Sequence, residues 1–323
     1  MTRQGRRQAS GVKLMRIFGG RATQSLTAAI CSYLGVEPGK ADVFKYSNDN
    51  TFVQVHENVR EEDVFVVQTS APPVDEAFME LLIMTDALRR ASARRITAVL
   101  PYYPYVRSDK KDQPRVPITA RLVADLLVTA GVNRVVTVDL TADQIQGFFT
   151  IPADHLTAQP VLARYFLEKG LDNLVVVAPD PGSVKRAQRF SQRLGVSVAF
   201  VDKRRVSSGV EVVATTVIGN VEGCRAILFD EEVDRGSSIT QATELLFQHG
   251  TIEVYAACTH AVLSGPAVER LSQSPIRELV VTDTVPVPQE KRWDRLVVLS
   301  IAPLLAESIR RIHTGQSISV LFE

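Results

Sequence analysis

Two adjacent acids, Asp230 and Glu231, stand where an apolar run ends in Ala226-Ile-Leu-Phe-Asp-Glu-Glu-Val-Asp-Arg-Gly-Ser-Ser-Ile-Thr240. Carboxylates in that position accept hydrogen bonds from a vicinal diol, or hold a magnesium ion through water. The turn Asp234-Arg-Gly-Ser-Ser238 then leads into a helical pattern, so its backbone N–H groups gather at a helix N-terminus, which suits a phosphate. A diol acceptor beside an anion cradle describes a pocket for a phosphorylated sugar. Arg235 and Ser237 are larger than such a turn favours; Arg235 either adds a cation to the anion site or fills it.

Three further segments carry charge suited to phosphate chemistry. Arg107-Ser-Asp-Lys-Lys-Asp-Gln-Pro-Arg115 puts four cations and two acids in one loop just after the aromatic turn Tyr102-Tyr-Pro-Tyr105. A polyphosphate nucleotide is served by such a set, because guanidinium and ammonium groups meet phosphates while a ring or planar guanidinium stacks on a base. A solvated surface loop has the same charge content. Val177-Ala-Pro-Asp-Pro-Gly-Ser-Val-Lys-Arg186 is strand, turn and helix, with Asp180 placed to cap the helix or to bind a ligand. Phe200-Val-Asp-Lys-Arg-Arg-Val-Ser-Ser-Gly209 leaves a strand for a Ser/Gly stretch suited to a mobile loop, whose cations either close over a charge-rich transition state or are ordinary surface residues.

An α/β architecture brings such turns together, because ligands in open sheets bind beyond the carboxyl ends of the strands. Apolar β-rich runs predict strands at Met15–Phe18, Asp63–Gln68, Ile96–Pro101, Arg134–Asp139, Leu174–Ala178, Val196–Asp202, Ala226–Phe229, Glu253–Cys258, Glu278–Asp283 and Leu296–Ser300. Helical patterns alternate with them at Ala77–Ala91, Ile118–Ala130, Gln159–Lys169, Val184–Arg193, Ile239–Gln248 and Pro303–Thr314. Alternation of this kind predicts a largely parallel sheet covered on both faces, in two similar halves. Thr137-Val-Asp-Leu-Thr-Ala-Asp143 is the polar turn of the first half, and Pro152, His155 and Pro160 mark a boundary near 151–159.

The 323 residues allow two domains. A hydrophobic share of 45%, a charged share of 23% and a net charge of +1 leave no global electrostatic case for nucleic acid or membrane partners. Cys31, Cys224 and Cys258 lack metal-ligand spacing and read as small buried hydrophobes in a reducing compartment. No apolar run has the roughly 18 residues of a membrane span, so a cytoplasmic protein is expected. The basic start at residues 1–13 reads as a disordered tail, with an organelle transit segment as the other reading.

From about Met15 to Glu323 the chain resembles the ribose-phosphate pyrophosphokinases, the phosphoribosyl pyrophosphate (PRPP) synthetases. Val53-Gln-Val-His-Glu-Asn-Val-Arg60, Met79-Glu-Leu-Leu-Ile-Met-Thr-Asp-Ala-Leu-Arg-Arg-Ala-Ser92 and Arg115-Val-Pro-Ile-Thr-Ala120 carry the resemblance, with Asp143-Gln-Ile-Gln-Gly-Phe-Phe149, Val201-Asp-Lys-Arg-Arg205 and Ile318-Ser-Val-Leu-Phe322. It implies two PRPP-transferase-like domains of type I phosphoribosyltransferase fold, each with a mainly parallel sheet flanked by helices, at 14–157 and 158–302. Residues 303–323 are expected to return to the first domain.

The activity implied is transfer of diphosphate from Mg-ATP to the C1 hydroxyl of ribose 5-phosphate. By the same resemblance Lys203 and Arg205 are the catalytic cations, and Tyr46, Asn48, Asn50, Arg107, Ser108, Asp112 and Thr141 bind ATP. Asp180, Asp230, Glu231, Asp234, Arg235, Gly236, Ser237 and Ser238 hold the ribose phosphate, and Asp180 touches magnesium. A homo-oligomer of dimers, up to a hexamer, is implied as well.

The chain departs from the family pattern where ligands are expected. Thr141 stands for a His, Ser108 for a Gln, Asn50 for a Glu, Asp180-Pro-Gly-Ser183 for Asp-x-Gly-Gly, and Arg235-Gly-Ser-Ser238 for Thr-Gly-Gly-Thr. Thr141 offers a hydroxyl but no ring nitrogen. Glu231, in place of Asp, reaches about 1.5 Å farther. Ser237 costs about 1–2 kcal/mol if the loop needs positive φ there. Two functions are therefore expected: a synthetase acting on ribose 5-phosphate or a related sugar phosphate, or a regulatory subunit of little activity that co-assembles with an active synthetase or senses nucleotide or sugar phosphate.

Overall fold

Every residue of Asp63–Val67 is buried, and a strand that apolar on both faces needs helices on both sides. A computed structural model describes residues 15–206 and 212–321, the side chains of 203–206 and 212–215 excepted. The chain forms two compact units.

In chain order the first unit contains β1 (Met15–Gly19), α1 (Gln24–Leu34), the strands β2 (Ala41–Lys45) and β3 (Thr51–Val55), and β4 (Asp63–Val67). Next come α2 (Val74–Arg90), β5 (Arg95–Leu100), α3 (Thr119–Ala130), β6 (Arg134–Val138) and β7 (Ala153–Leu156). Among the described residues the sheet has the order β1-β4-β5-β6-β7, and the β1–β4, β4–β5 and β5–β6 pairs are parallel. Strands β2 and β3 form a separate antiparallel ribbon.

The second unit is built from α4 (Gln159–Lys169), β8 (Leu174–Ala178), α5 (Val184–Leu194), β9 (Ser197–Val206) and β10 (Val212–Ile218). They are followed by β11 (Arg225–Val233), α6 (Ser237–Gln248), β12 (Glu253–Ala261), α7 (Ala267–Gln273), β13 (Leu279–Thr282) and β14 (Leu296–Leu299). Its sheet runs β10-β9-β8-β11-β12-β13-β14, parallel except for the antiparallel β9–β10 pair. Two cores flank it: one gathers Leu246, Ile239 and Leu271 over one face, and the other stacks Phe190 on Phe229 at 4.2 Å over the other. Parallel sheets with helices on both faces are the architecture expected from the alternating pattern.

All ten expected strands are present. β9 runs on to Val206 and β11 to Val233, so the acids at 230–232 and Lys203 and Arg205 lie within strands rather than in turns. β2, β3 and β7 mix polar with apolar residues and do not announce themselves, β2 and β3 being only half-buried along most of their length, whereas β10 is an unexpected strand despite its apolar, β-branched sequence. Cys31 and Cys258 are buried as expected, whereas Cys224 is half-buried. The basic start at 1–13 and residues 207–211 of the expected mobile loop lie outside the described residues. Among the described residues no helix is long and apolar enough to cross a membrane.

Helix α8 (Ala302–Thr314) ends against the first sheet: the carbonyl of Ile312 accepts from Arg95 Nη2 at 3.0 Å, and His313 Nδ1 lies 2.8 Å from Asp63 Oδ2. Arg95 Nε also donates to Asp63 Oδ1 at 2.8 Å. Asp63 is 5% exposed, so its removal strands two polar partners. Asp63→Ala is expected to cost about 3 kcal/mol, read by chemical denaturation; a loss under about 1 kcal/mol would show that the cluster holds nothing.

Candidate active site

β8 ends at Ala178, and Asp180 turns the chain into α5. Its Oδ1 accepts from the N–H groups of Gly182 at 2.9 Å and Ser183 at 3.2 Å, so the cap alternative is realised through that oxygen. Oδ2 takes no part in the cap. Among the described residues no group of three or more His, Cys, Asp or Glu is arranged to hold a metal ion. A single carboxylate oxygen, completed by phosphates and water, is a donor set that fits magnesium.

Next in the sheet, β11 carries Asp230 and Glu231 at its carboxyl end. Asp230 Oδ1 accepts from the Glu231 N–H at 2.9 Å. Burial first, and then the neighbouring Glu231 carboxyl and the charge of Asp180, push the Asp230 carboxyl well above the ordinary carboxylate range. Asp180 and Asp230 so placed suit a neutral, hydroxyl-rich ligand whose O–H groups donate to them.

The loop after β11 resolves the question raised by Ser237. The left-handed residue is Gly236, at φ 74°, while Ser237 opens α6, so the strain foreseen at Ser237 does not arise. Asp234 pins the loop: its carboxylate accepts from the Ser264 hydroxyl, and its carbonyl accepts from Ser264 N–H at 2.9 Å. Arg235 is exposed beside the start of α6, with Ser237 and Ser238 in its first turn. A Cβ on Gly236 would sit 3.1 Å from Leu271 Cγ. Gly236→Ala is therefore expected to cost about 1–2 kcal/mol and to weaken sugar-phosphate binding; unchanged denaturation and affinity would show that the loop does not depend on this conformation.

Thr141 follows β6. The turn before it is held by a buried network: Asp139, at φ 38°, accepts through Oδ2 from Ala158 N–H at 2.9 Å and from the Thr259 hydroxyl at 2.6 Å. The Asp139 carbonyl lies 3.1 Å from His260 Nε2, and His260 Nδ1 lies 3.0 Å from the Thr284 hydroxyl. A carbonyl only accepts, so Nε2 carries the hydrogen and Nδ1 accepts from Thr284. Burial lowers the His260 pKa and keeps the ring neutral. No spacing in the sequence relates Asp139 to His260, and neither stood out as a candidate.

The expected nucleotide residues of the first unit fall into two groups. Arg107, Ser108 and Asp112, with Lys110, Val116 and Pro117, line one cavity of about 290 Å³. Tyr46, Asn48 and Asn50 lie instead in the β2–β3 connection. Tyr46 is 49% exposed and packs edge-on to Phe44 and Phe52, at centroid distances of 5.4 and 5.5 Å. Asn48 Oδ1 accepts from Asn50 N–H at 3.2 Å, shaping the turn that presents the ring. Lys203 and Arg205 pair with Thr215 and Val213 in the β9–β10 ladder, and their side chains lie outside the described residues.

Comparison with known proteins bears on the whole chain. Residues 15–131 match the family model described as the N-terminal domain of ribose phosphate pyrophosphokinase, and 207–323 match that of the phosphoribosyl synthetase-associated domain. The ribose-phosphate pyrophosphokinase of Caldanaerobacter subterraneus subsp. tengcongensis is 50% identical over 309 residues, covering 95% of this chain and 98% of the relative. That of Clostridium acetobutylicum is 49% identical over 313 residues, 96% of this chain and 98% of the relative. The crystal structure of phosphoribosylpyrophosphate synthetase from Mycobacterium smegmatis superposes with a TM-score of 0.89 at 45% identity, over 94% of this chain and 100% of that one. Each of these relatives bears the name of the enzyme, and none lends support to an impaired regulatory subunit. With half its residues shared across nearly its whole length and a backbone that superposes at a TM-score of 0.89, the chain belongs to the ribose-phosphate pyrophosphokinase family.

Proposed function

We propose that the protein transfers the β,γ-diphosphoryl group of ATP to the C1 hydroxyl of ribose 5-phosphate, giving PRPP and AMP. The observation that carries this reading is the 50% identity over 95% of the chain to a ribose-phosphate pyrophosphokinase. The sugar oxygen O1 attacks the β-phosphorus, and the bond from that phosphorus to the oxygen bridging to the α-phosphorus breaks. AMP leaves with the bridging oxygen, and the hydroxyl proton passes to solvent. Such a displacement asks the protein for positioning and charge rather than covalent chemistry.

The sugar diol donates to Asp230 and to the free oxygen of Asp180, and the 5-phosphate takes the N–H groups of the loop from Asp234 to Ser238. Arg235 adds a cation at the rim of that loop. Tyr46 stacks on the adenine, Asn48 and Asn50 hold its turn, and Arg107, Ser108 and Asp112 meet the nucleotide, with the Thr141 hydroxyl as a phosphate donor. Lys203 and Arg205 offset the charge that builds on the transferred group and on departing AMP. Asp180, together with the ATP phosphates, would hold the magnesium ion, which would supply charge neutralisation there. Self-association through dimers, up to a hexamer, belongs to the same reading; light scattering tests it.

The test is AMP and PRPP formation from Mg-ATP with and without ribose 5-phosphate. Sugar-dependent appearance of both supports the reading. A folded protein that forms neither would overturn it, and stimulation of an added synthetase would then favour the regulatory subunit.

A further inference from the structure

One cation is placed against the acidic strand ends, and nothing in the sequence marks it. Arg186 lies in the first turn of α5, with its side chain 23% exposed. Its Nη1 donates to the Gly182 carbonyl at 3.2 Å, and its Nη2 donates to the Thr141 carbonyl. Nη1 also lies 2.9 Å from Glu231 Oε2. That oxygen makes no aligned hydrogen bond, so the approach is an ion pair held by charge rather than by direction. Glu231 is 7% exposed.

Three chain segments therefore meet on one guanidinium: the turn after β6, the turn after β8 and the end of β11. They bear Thr141, Asp180 and the Asp230–Glu231 pair. A flat fork with fixed donor directions is suited to holding several acceptors in one arrangement, which an ammonium on a flexible stem does less well. Asp230 shows no ion pair among the described residues, whereas Glu231 is drawn to Arg186. The two acids are thereby given different tasks, Glu231 as an anchor and Asp230 as the ligand acceptor. An Asp at 231, one methylene shorter, falls about 1.5 Å short of this contact.

We propose that Arg186 is a positioning residue of the sugar-phosphate site, joining the turns that carry Thr141, Asp180 and Asp230 through the Thr141 and Gly182 carbonyls and the Glu231 carboxylate. The assignment rests on the proposed function, since it names what holds that same site in shape. It makes Glu231 and Arg186 a working pair, so that a change in one alters the consequence of a change in the other.

The experiment compares wild type, Arg186→Met, Arg186→Lys, Glu231→Gln and the double variant Arg186→Met with Glu231→Gln. It reads kcat, KM for each substrate, and calorimetric binding of ribose 5-phosphate. Arg186→Met is expected to raise the ribose 5-phosphate KM and dissociation constant about tenfold while the ATP KM changes less than threefold. Arg186→Lys, which keeps the charge without the fork, should recover part of the loss, and the double variant should be no worse than the poorer single. Ribose 5-phosphate parameters within twofold of wild type in Arg186→Met would overturn the proposal. So would strictly additive single effects, or a loss of thermal stability with unchanged kinetics. If Arg186→Met does not fold, Arg186→Lys and Glu231→Gln carry the same test, and ribose 5-phosphate affinity within twofold of wild type in both overturns the proposal. A wild type that binds ribose 5-phosphate without forming AMP would sink the synthetase reading alone, because the binding comparison still judges Arg186.

Discussion

Alanine at both Lys203 and Arg205 is expected to lower kcat for PRPP formation by at least about 10³. Removing one preorganised group that meets charge developing in a transition state typically costs about 10² to 10³ in rate, and here two such groups go together. In the proposed mechanism the charge they offset is largest as the β-phosphorus changes partners, so the loss is expected to fall on kcat, with KM for ATP and ribose 5-phosphate changed less than about fivefold. The fold should tolerate the change, because both positions are held by backbone pairing with Thr215 and Val213 and the side-chain contribution to strand preference is at most about 1 kcal/mol. Steady-state kinetics on protein shown to be folded by circular dichroism decides the matter. A fall of less than about tenfold would remove these two residues from the chemistry.

Asp230→Asn should move activity and stability in opposite directions. Asn accepts a hydrogen bond more weakly than a carboxylate, and hydrogen bonds to charged groups are worth about 1.5–3 kcal/mol, so kcat/KM for ribose 5-phosphate should drop roughly 10- to 100-fold. Stability follows from the raised Asp230 pKa in the folded protein. Unfolded, the group titrates near 3.9, so between that value and the folded one the native state binds more protons than the unfolded state. The group's contribution to stability therefore falls as pH rises from about 4 through the folded pKa, and stays low above it. Asn lacks that titration. In metal-free buffer the variant should melt above wild type at pH 8, and the gap should close towards pH 4. A gap that is constant with pH would show that Asp230 is not held against ionisation, whatever happens to activity. A gain in stability at the expense of function is the pattern of a site residue kept in an unfavourable setting for its ligand.

The ten apolar runs locate the strands because burial on both faces demands unbroken apolar character, a purely local signal. The helices from Gln159, Val184 and Ile239 onward were legible from local signals too, as was Asp180 at a cap, whereas the left-handed residue before α6 is Gly236 rather than Ser237. The ribbon of β2 and β3 was not, since a half-buried strand mixes polar with apolar residues and its pairing is with a neighbour rather than with a core. Strand ends were also misjudged at β9 and β11, where charged residues continue the ladder because backbone pairing is indifferent to side-chain polarity.

The acids at 180, 230 and 231, the loop after them and the basic segment from Arg107 stand out as candidates by residue type and by position after an apolar run, both of which survive in the unfolded chain. The division of labour among those acids does not. Arg186 reaches the Thr141 carbonyl across 45 residues of chain and Glu231 across as many, and His260 reaches Asp139 across 121. Contacts at such separations leave no periodicity to read; they arise only in the folded chain, where the turn after β6 meets α5 and β12 and where burial shifts the Asp230 and His260 equilibria that the isolated residues would not show.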